Sequence, residues 1–179
     1  MPKTRNDLTR DDKVTEILDL AASKLQSGGL GALSVAGLAR DLGLAHSAIY
    51  WYFPTKDHLV VGAFGHLVRQ LMARKPRTTK NVNEKVMWFV DQMGELYPIR
   101  AAMRDRAQGS PVIAAYLEEL NTKMASMVRH VLEPHVDESD LDMATASFIA
   151  TVQGAFLEGI EPAERRRLLT FALDRLVSQ

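Results

Sequence analysis

The chain predicts an all-α fold of about nine helices. Three observations lead there. Apolar residues recur at helical spacing in almost every segment between breaks. The breaks are glycines, prolines and short polar runs, and no alternating strand pattern or internal repeat separates them. Residues 34–58, SVAGLARDLGLAHSAIYWYFPTKDH, hold two short helical patterns joined at a glycine, the outline of a helix-turn-helix. With 179 residues, 46% hydrophobic and 25% charged, the composition is that of an ordinary globular protein of one domain or two small ones.

The first helix is expected from about Asp11 to Ser27, with Val14, Ile17, Leu18, Ala21, Ala22 and Leu25 on one face, and Gly28 and Gly29 ending it. The second runs from Ser34 to about Leu42. The Ser34 hydroxyl suits the N-cap, and Gly43 suits a left-handed C-terminal position. The third starts near Ala45 or His46 and stops before Pro54, with Ile49 and Phe53 toward the core. That leaves His46, Ser47, Ala48, Tyr50, Trp51 and Tyr52 on other faces, with part of Trp51 expected to pack between helices. In a major groove, serine and histidine can bond base edges and alanine can touch a thymine methyl, while tyrosine hydroxyls can bond phosphates.

Thr55 caps a fourth helix reaching about Arg74, and KPRTTKN at 75–81 is the clearest break. The predicted organisation is therefore a DNA-reading domain at 1–56, helix four (55–74) as connector, and a helical domain at 75–179. Within the latter, Asn83 is expected to cap a fifth helix weakened at its end by Gly94, Tyr97 and Pro98. A short sixth follows over 99–107. Pro111 opens a seventh that stops before Pro134. Ser139 with Asp142 resembles a capping box for an eighth helix from about Asp140 to Gly159, and Pro162 starts a ninth.

Composition excludes several classes. With no cysteine, disulfides and thiol catalysis are out. No run of 18 apolar residues occurs, so no membrane span is expected, and MPKTRNDLTRDDK lacks a signal-peptide core. No H-E-x-x-H, P-loop, G-x-S-x-G or G-x-G-x-x-G is present, so neither an enzyme nor a cofactor is expected. His130, Glu133 and His135 lie close together, but Pro134 bends the chain between them and no metal site is expected. The acidic run at Asp137, Glu138, Asp140 and Asp142 lacks the glycine of a calcium loop and suits a helix N-terminus.

Charge gives DNA binding no support. The formal net charge is +0. Up to residue 60, Lys3, Arg5, Arg10, Lys13, Lys24, Arg40 and Lys56 are balanced by Asp7, Asp11, Asp12, Glu16, Asp19, Asp41 and Asp57.

The ordered set ILDLAASKLQSGG, GLGALSVAGLARDLGL and AHSAIYWYFPTKDHLV resembles the N-terminal domain of TetR-type transcriptional regulators. It covers roughly the first third of the chain; the remainder matches only in helix number and length. The resemblance implies a cytoplasmic homodimer that binds a double-stranded DNA operator and a small-molecule effector, most often as a repressor. It implies a phosphate contact at Ser34, base reading at His46, Ser47 and Ala48, and phosphate contacts at Tyr50, Tyr52 and Lys56. Ala36 falls where several members carry a basic base-reading residue, so that contact is expected to be absent. Lys3 and Arg5 are candidates for an N-terminal arm.

In the C-terminal part, Trp88, Met93, Tyr97, Met103, Tyr116 and Met124 are candidates for lining a mainly apolar pocket, since methionine adapts to irregular shapes. The resemblance places an effector site among these helices. Arg100, Arg104 and Arg106 suit a solvated helix face or an anionic ligand. On the last two helices Phe148, Val152, Ala155, Phe156, Leu169, Ala172 and Leu176 form a broad apolar stripe, expected to pair with a second copy as a four-helix bundle in such regulators. The alternative is a ligand-binding or scaffold protein of the same fold that does not bind an operator.

Overall fold

The computed structural model describes residues 9–74, 82–157 and 159–177. Among them are nine helices and no strand: α1 (Arg10–Ala32), α2 (Val35–Leu42), α3 (His46–Tyr52), α4 (Lys56–Ala73), α5 (Val82–Glu95), α6 (Tyr97–Ala107), α7 (Pro111–Leu132), α8 (Glu138–Leu157) and α9 (Pro162–Val177). No described helix is long and apolar enough to cross a membrane. Lys3, Arg5 and the 75–81 break lie outside the described residues.

The chain divides into two compact units. The first holds residues 1–74 with 98–116, the second 75–97 with 117–179. The sequence predicts one domain from 75 onward; here α6 from Pro98 and the first turns of α7 are grouped with the N-terminal helices instead.

In the first unit, α1 packs on α4. Ile17, Ala21 and Leu25 of α1 meet a core that includes Leu38, Ile49, Leu59, Ala63, Phe64 and Leu67, all fully buried or nearly so. Asp19 Oδ1 lies 2.7 Å from His66 Nε2 across this pair. Thr9, unforeseen in the sequence, caps α1: its hydroxyl accepts from Asp12 N at 3.2 Å, and Asp12 Oδ2 accepts from Thr9 N at 3.0 Å. As predicted, the backbone leaves the helix at Gly28 and Gly29, and Ala32 ends a further turn. Gly62 marks a close approach: a Cβ there would sit 3.0 Å from Phe53 Cε1 and 3.1 Å from Leu18 Cδ2.

In the second unit, α8 packs on α9, and α9 on α5. Their core holds Met87, Val90, Leu132, Leu141, Phe148, Ala155, Leu169 and Leu173. Two caps differ from expectation. Asn83 lies inside α5, where its amide bonds Asp174. Ser139 lies inside α8, and Asp142 is turned to Arg129 instead of closing a capping box. Arg129 holds Asp142 Oδ1 and Glu138 Oε1, each at 2.7 Å, so two members of the acidic run pin the end of α7 to the start of α8.

Candidate nucleic-acid interface

The helix-turn-helix is built by local chemistry. Ser34 Oγ accepts from Gly37 N at 3.3 Å and starts α2. Gly43 ends it at φ 61° and ψ 38°, with its own N–H returned to Arg40 O at 3.0 Å and Leu44 N bonded to Ala39 O at 2.8 Å. A residue with a Cβ is disfavoured in that left-handed conformation. Three residues after Gly43, α3 begins at His46 with no side-chain cap. Val35, Leu38, Ala39 and Leu42 hold α2 to the core, while α3 is anchored by Ile49 alone, which is 0% exposed.

With so narrow an anchor, α3 shows most of its surface to solvent. His46, Ser47 and Tyr50 are exposed, and Ala48 and Tyr52 are half-buried. His46 and Tyr50 meet edge to face, with centroids 5.1 Å apart. Ser34 is exposed at the start of α2, and Lys56 is half-buried at the start of α4. Thus the seven residues singled out in the sequence all lie on or at the edge of the helix-turn-helix.

Trp51 departs from expectation. It is 65% exposed, more than Tyr50 at 39%. Two positions on from Ile49 is about 200° around a helix, the side opposite the core, so its phase held this signal. Arg10 lies over its ring at 4.8 Å, and Tyr52 meets it edge-on at 4.8 Å. Nothing local in the sequence signals that the first residue of α1 lies beside α3.

Charge looks different once pairing is known. Glu16 is bonded by Lys13 at 2.5 Å, and Asp41 by Lys24 at 2.6 Å. The Lys24 hydrogen bond, aided by its charge and by Arg40, holds the Asp41 carboxyl below the usual carboxylate range against the opposing effect of burial. Asp57 is taken by Arg106. Neither Arg10 nor Lys56 makes an ion pair among the described residues. The first two pairs use one counted cation for each acid and leave the balance unchanged; only Arg106, from beyond the residues counted, adds a cation at this end.

The other candidates sit differently. Trp88, Met93, Tyr97 and Met124 are half-buried in the second unit. Met103 and Tyr116 belong to the first, where Met103 is wholly buried and Tyr116 stands edge-on to Phe64 at 6.2 Å. Tyr97 is stacked on Phe156, centroids 4.8 Å apart. A groove of about 720 Å³ runs between α7 and α8, with Asn121, Ala125, Arg129, Thr145, Ile149 and Gln153 among its lining; it contains none of the six. His130 and His135 border a smaller groove, and no cluster of metal-binding side chains occurs among the described residues.

The stripe expected to meet a second copy is unevenly covered within its own unit. Phe148, Ala155 and Leu169 are buried in their own unit, and Val152, Phe156, Ala172 and Leu176 pack partly against that core. Phe156 is further covered by Arg165, 4.2 Å from its ring. The densest apolar face of α8 and α9 is the one these helices use against each other and α5. What remains outside is Met143, 72% exposed, with Phe171, 60% exposed, and Leu168.

This geometry, a short helix held by one buried residue after a glycine turn, is a helix-turn-helix on an all-helical chain. Residues 17–63 match the family described as bacterial regulatory proteins, tetR family. No curated protein sequence matches the chain. Among solved structures, a transcriptional regulator from Rhodococcus sp. Rha1 is similar over 92% of this chain and 94% of its own, with 23% identity and a TM-score of 0.69. BioQ, solved with its double-stranded DNA operator, is similar over 93% and 98%, with 20% identity and a TM-score of 0.62. A putative transcriptional regulator from Saccharomonospora viridis, solved with choline, is similar over 92% and 97%, with 14% identity and a TM-score of 0.73. These likenesses span the whole fold, including the part outside the family match.

Proposed function

We propose that the chain is a cytoplasmic, homodimeric repressor that binds a palindromic operator and is released by a small, mainly apolar effector. The observation that carries the DNA part is the recognition helix: Ile49 is fully buried while His46, Ser47, Tyr50 and Trp51 face solvent. A short helix that spends its aromatics outward is costly unless a surface covers them. A nucleic-acid groove would use the histidine and serine on base edges and Tyr50, Tyr52, Lys56 and Ser34 on phosphates. BioQ, of like fold, is solved on its operator.

The dimer part rests on Met143, Leu168 and Phe171, large apolar side chains left open on α8 and α9. The effector part rests on the half-buried Trp88, Met93, Tyr97 and Met124 and on the choline complex of a regulator of this fold. An effector acts only through unequal affinity for the DNA-bound and free states, commonly ~1–3 kcal/mol of coupling. Fluorescence anisotropy with duplex DNA tests the reading: saturable binding that weakens with salt is expected. A chain that leaves every duplex unbound would be a ligand-binding or scaffold protein of this fold instead.

A further inference from the structure

Three helix ends converge on one carboxylate in the first unit. Asp57 lies in the first turn of α4, one residue after Lys56. Arg106, next to last in α6, brings Nε and a terminal guanidinium nitrogen each to 2.6 Å from Asp57 Oδ1. Ser110, directly before α7 and 4% exposed, is near enough for its hydroxyl to help stabilise the same carboxylate. Its Oγ also accepts from Ile113 N at 3.4 Å, and its carbonyl from Ala114 N at 3.0 Å, so it caps α7 as well. Burial disfavours the Asp57 charge, yet the Ser110 hydroxyl and the Arg106 guanidinium outweigh it and hold the carboxyl below the usual range. The carboxylate is thus ionised, partly buried and clasped.

Its place matters for DNA. Only Phe53, Pro54 and Thr55 separate α3 from α4, so the start of α4 fixes where the recognition helix ends. Lys56, the cation at that start, has a carboxylate as its immediate neighbour. Left bare, that carboxylate would oppose phosphates approaching the same helix end. Arg106 cancels it.

We propose that Arg106 is a positioning residue for DNA binding: it neutralises Asp57 beside Lys56 and ties the α6–α7 corner to the start of α4. This rests on the DNA-binding reading above. A basic side chain that suited a solvated face or an anionic ligand in the sequence thereby serves the interface from another element, without touching DNA.

The test uses the full chain, a labelled mixed-sequence DNA duplex and fluorescence anisotropy, beside thermal unfolding. Arg106→Ala should weaken binding about two- to fivefold, the size of an exposed ion pair. Arg106→Lys should retain most of the affinity. Adding Asp57→Asn to Arg106→Ala should restore most of it, because the bare charge is gone, although the clasp is still broken and the melting temperature stays low. Should Arg106→Ala not fold, Arg106→Gln carries the same expectation. Unchanged affinity in the single variant would overturn the proposal and leave a merely stabilising ion pair; a double variant as weak as the single would overturn it too. If the unsubstituted chain binds no duplex, the DNA-binding reading fails first and this inference falls with it.

Discussion

The Arg10 guanidinium lies over the Trp51 ring, 4.8 Å from its centroid, joining the first residue of α1 to the outer face of α3. Neither residue is committed elsewhere in a way that would keep it from DNA: Trp51 is largely exposed, and Arg10 has no ion pair among the described residues. The chain holds two tryptophans, so Trp88→Phe leaves Trp51 as sole reporter. Its emission should begin at the red-shifted position of a wet indole and change on adding duplex DNA. Arg10→Ala should reduce the slope of log affinity against log salt by about 1. An emission unmoved at saturating DNA would remove Trp51 from the interface.

Substitutions at the interface should separate into two kinds. Tyr50→Phe and Lys56→Ala should weaken binding to all sequences alike, since phosphate contacts carry little sequence information. His46→Ala and Ser47→Ala should alter preference at one or two base positions, by ~1–3 kcal/mol for a good contact. Competition titrations with a selected site and a scrambled one distinguish the two. Loss of sequence preference with Lys56→Ala would contradict its assignment.

The turn and the anchor of the motif should be sensitive in stability as well. Gly43→Ala places a Cβ at φ 61° and should cost ~1–2 kcal/mol. Ile49→Ala removes the one buried side chain of α3 and should cost ~2–5 kcal/mol. Urea unfolding measures both. A neutral Gly43→Ala would mean the turn relaxes out of the left-handed conformation.

The Asp57 clasp has a pH signature. Its carboxyl is held below the usual range in the folded chain. A depressed carboxylate pKa contributes stability above its unfolded value, about 3.9, and that contribution is lost as pH falls through the folded pKa. Unfolding followed from pH 7 downward should therefore show a steeper loss below about pH 4 in the unsubstituted chain than in Asp57→Asn. Parallel curves would show that the clasp contributes nothing to folding.

Helix periodicity made the N-terminal architecture readable, because each signal there is local. Ser34, Gly43 and Thr55 each bond within a few residues of themselves, and their roles follow from residue type. Non-local pairings were not readable. Nothing local says that Arg106 reaches Asp57, that Arg10 covers Trp51, or that Arg129 draws Asp142 away from a cap. Which part of the apolar stripe on α8 and α9 is covered within the chain was unreadable for a related reason. On α8 apolar residues surround the helix, so density identifies the inner face and leaves Met143, with Phe171 on α9, to the outside.

That outer face gives the assembly prediction. Phe171→Glu should dissociate the dimer while helical circular dichroism stays intact, whereas Phe148→Glu should unfold the second unit, because its site is core. Sedimentation equilibrium separates these outcomes. A Phe171→Glu variant still at the dimer mass would place the interface elsewhere.

The central claim is that the exposed α3 reads DNA. Selecting fragments from a random duplex pool with the full chain, then sequencing them, tests it most directly. The expected result is an enriched inverted repeat with half-site centres about one helical turn apart, ~34–36 Å, whose enrichment is lost with His46→Ala and Ser47→Ala together. A pool that stays random through successive rounds, with correctly folded protein at each, would contradict the claim.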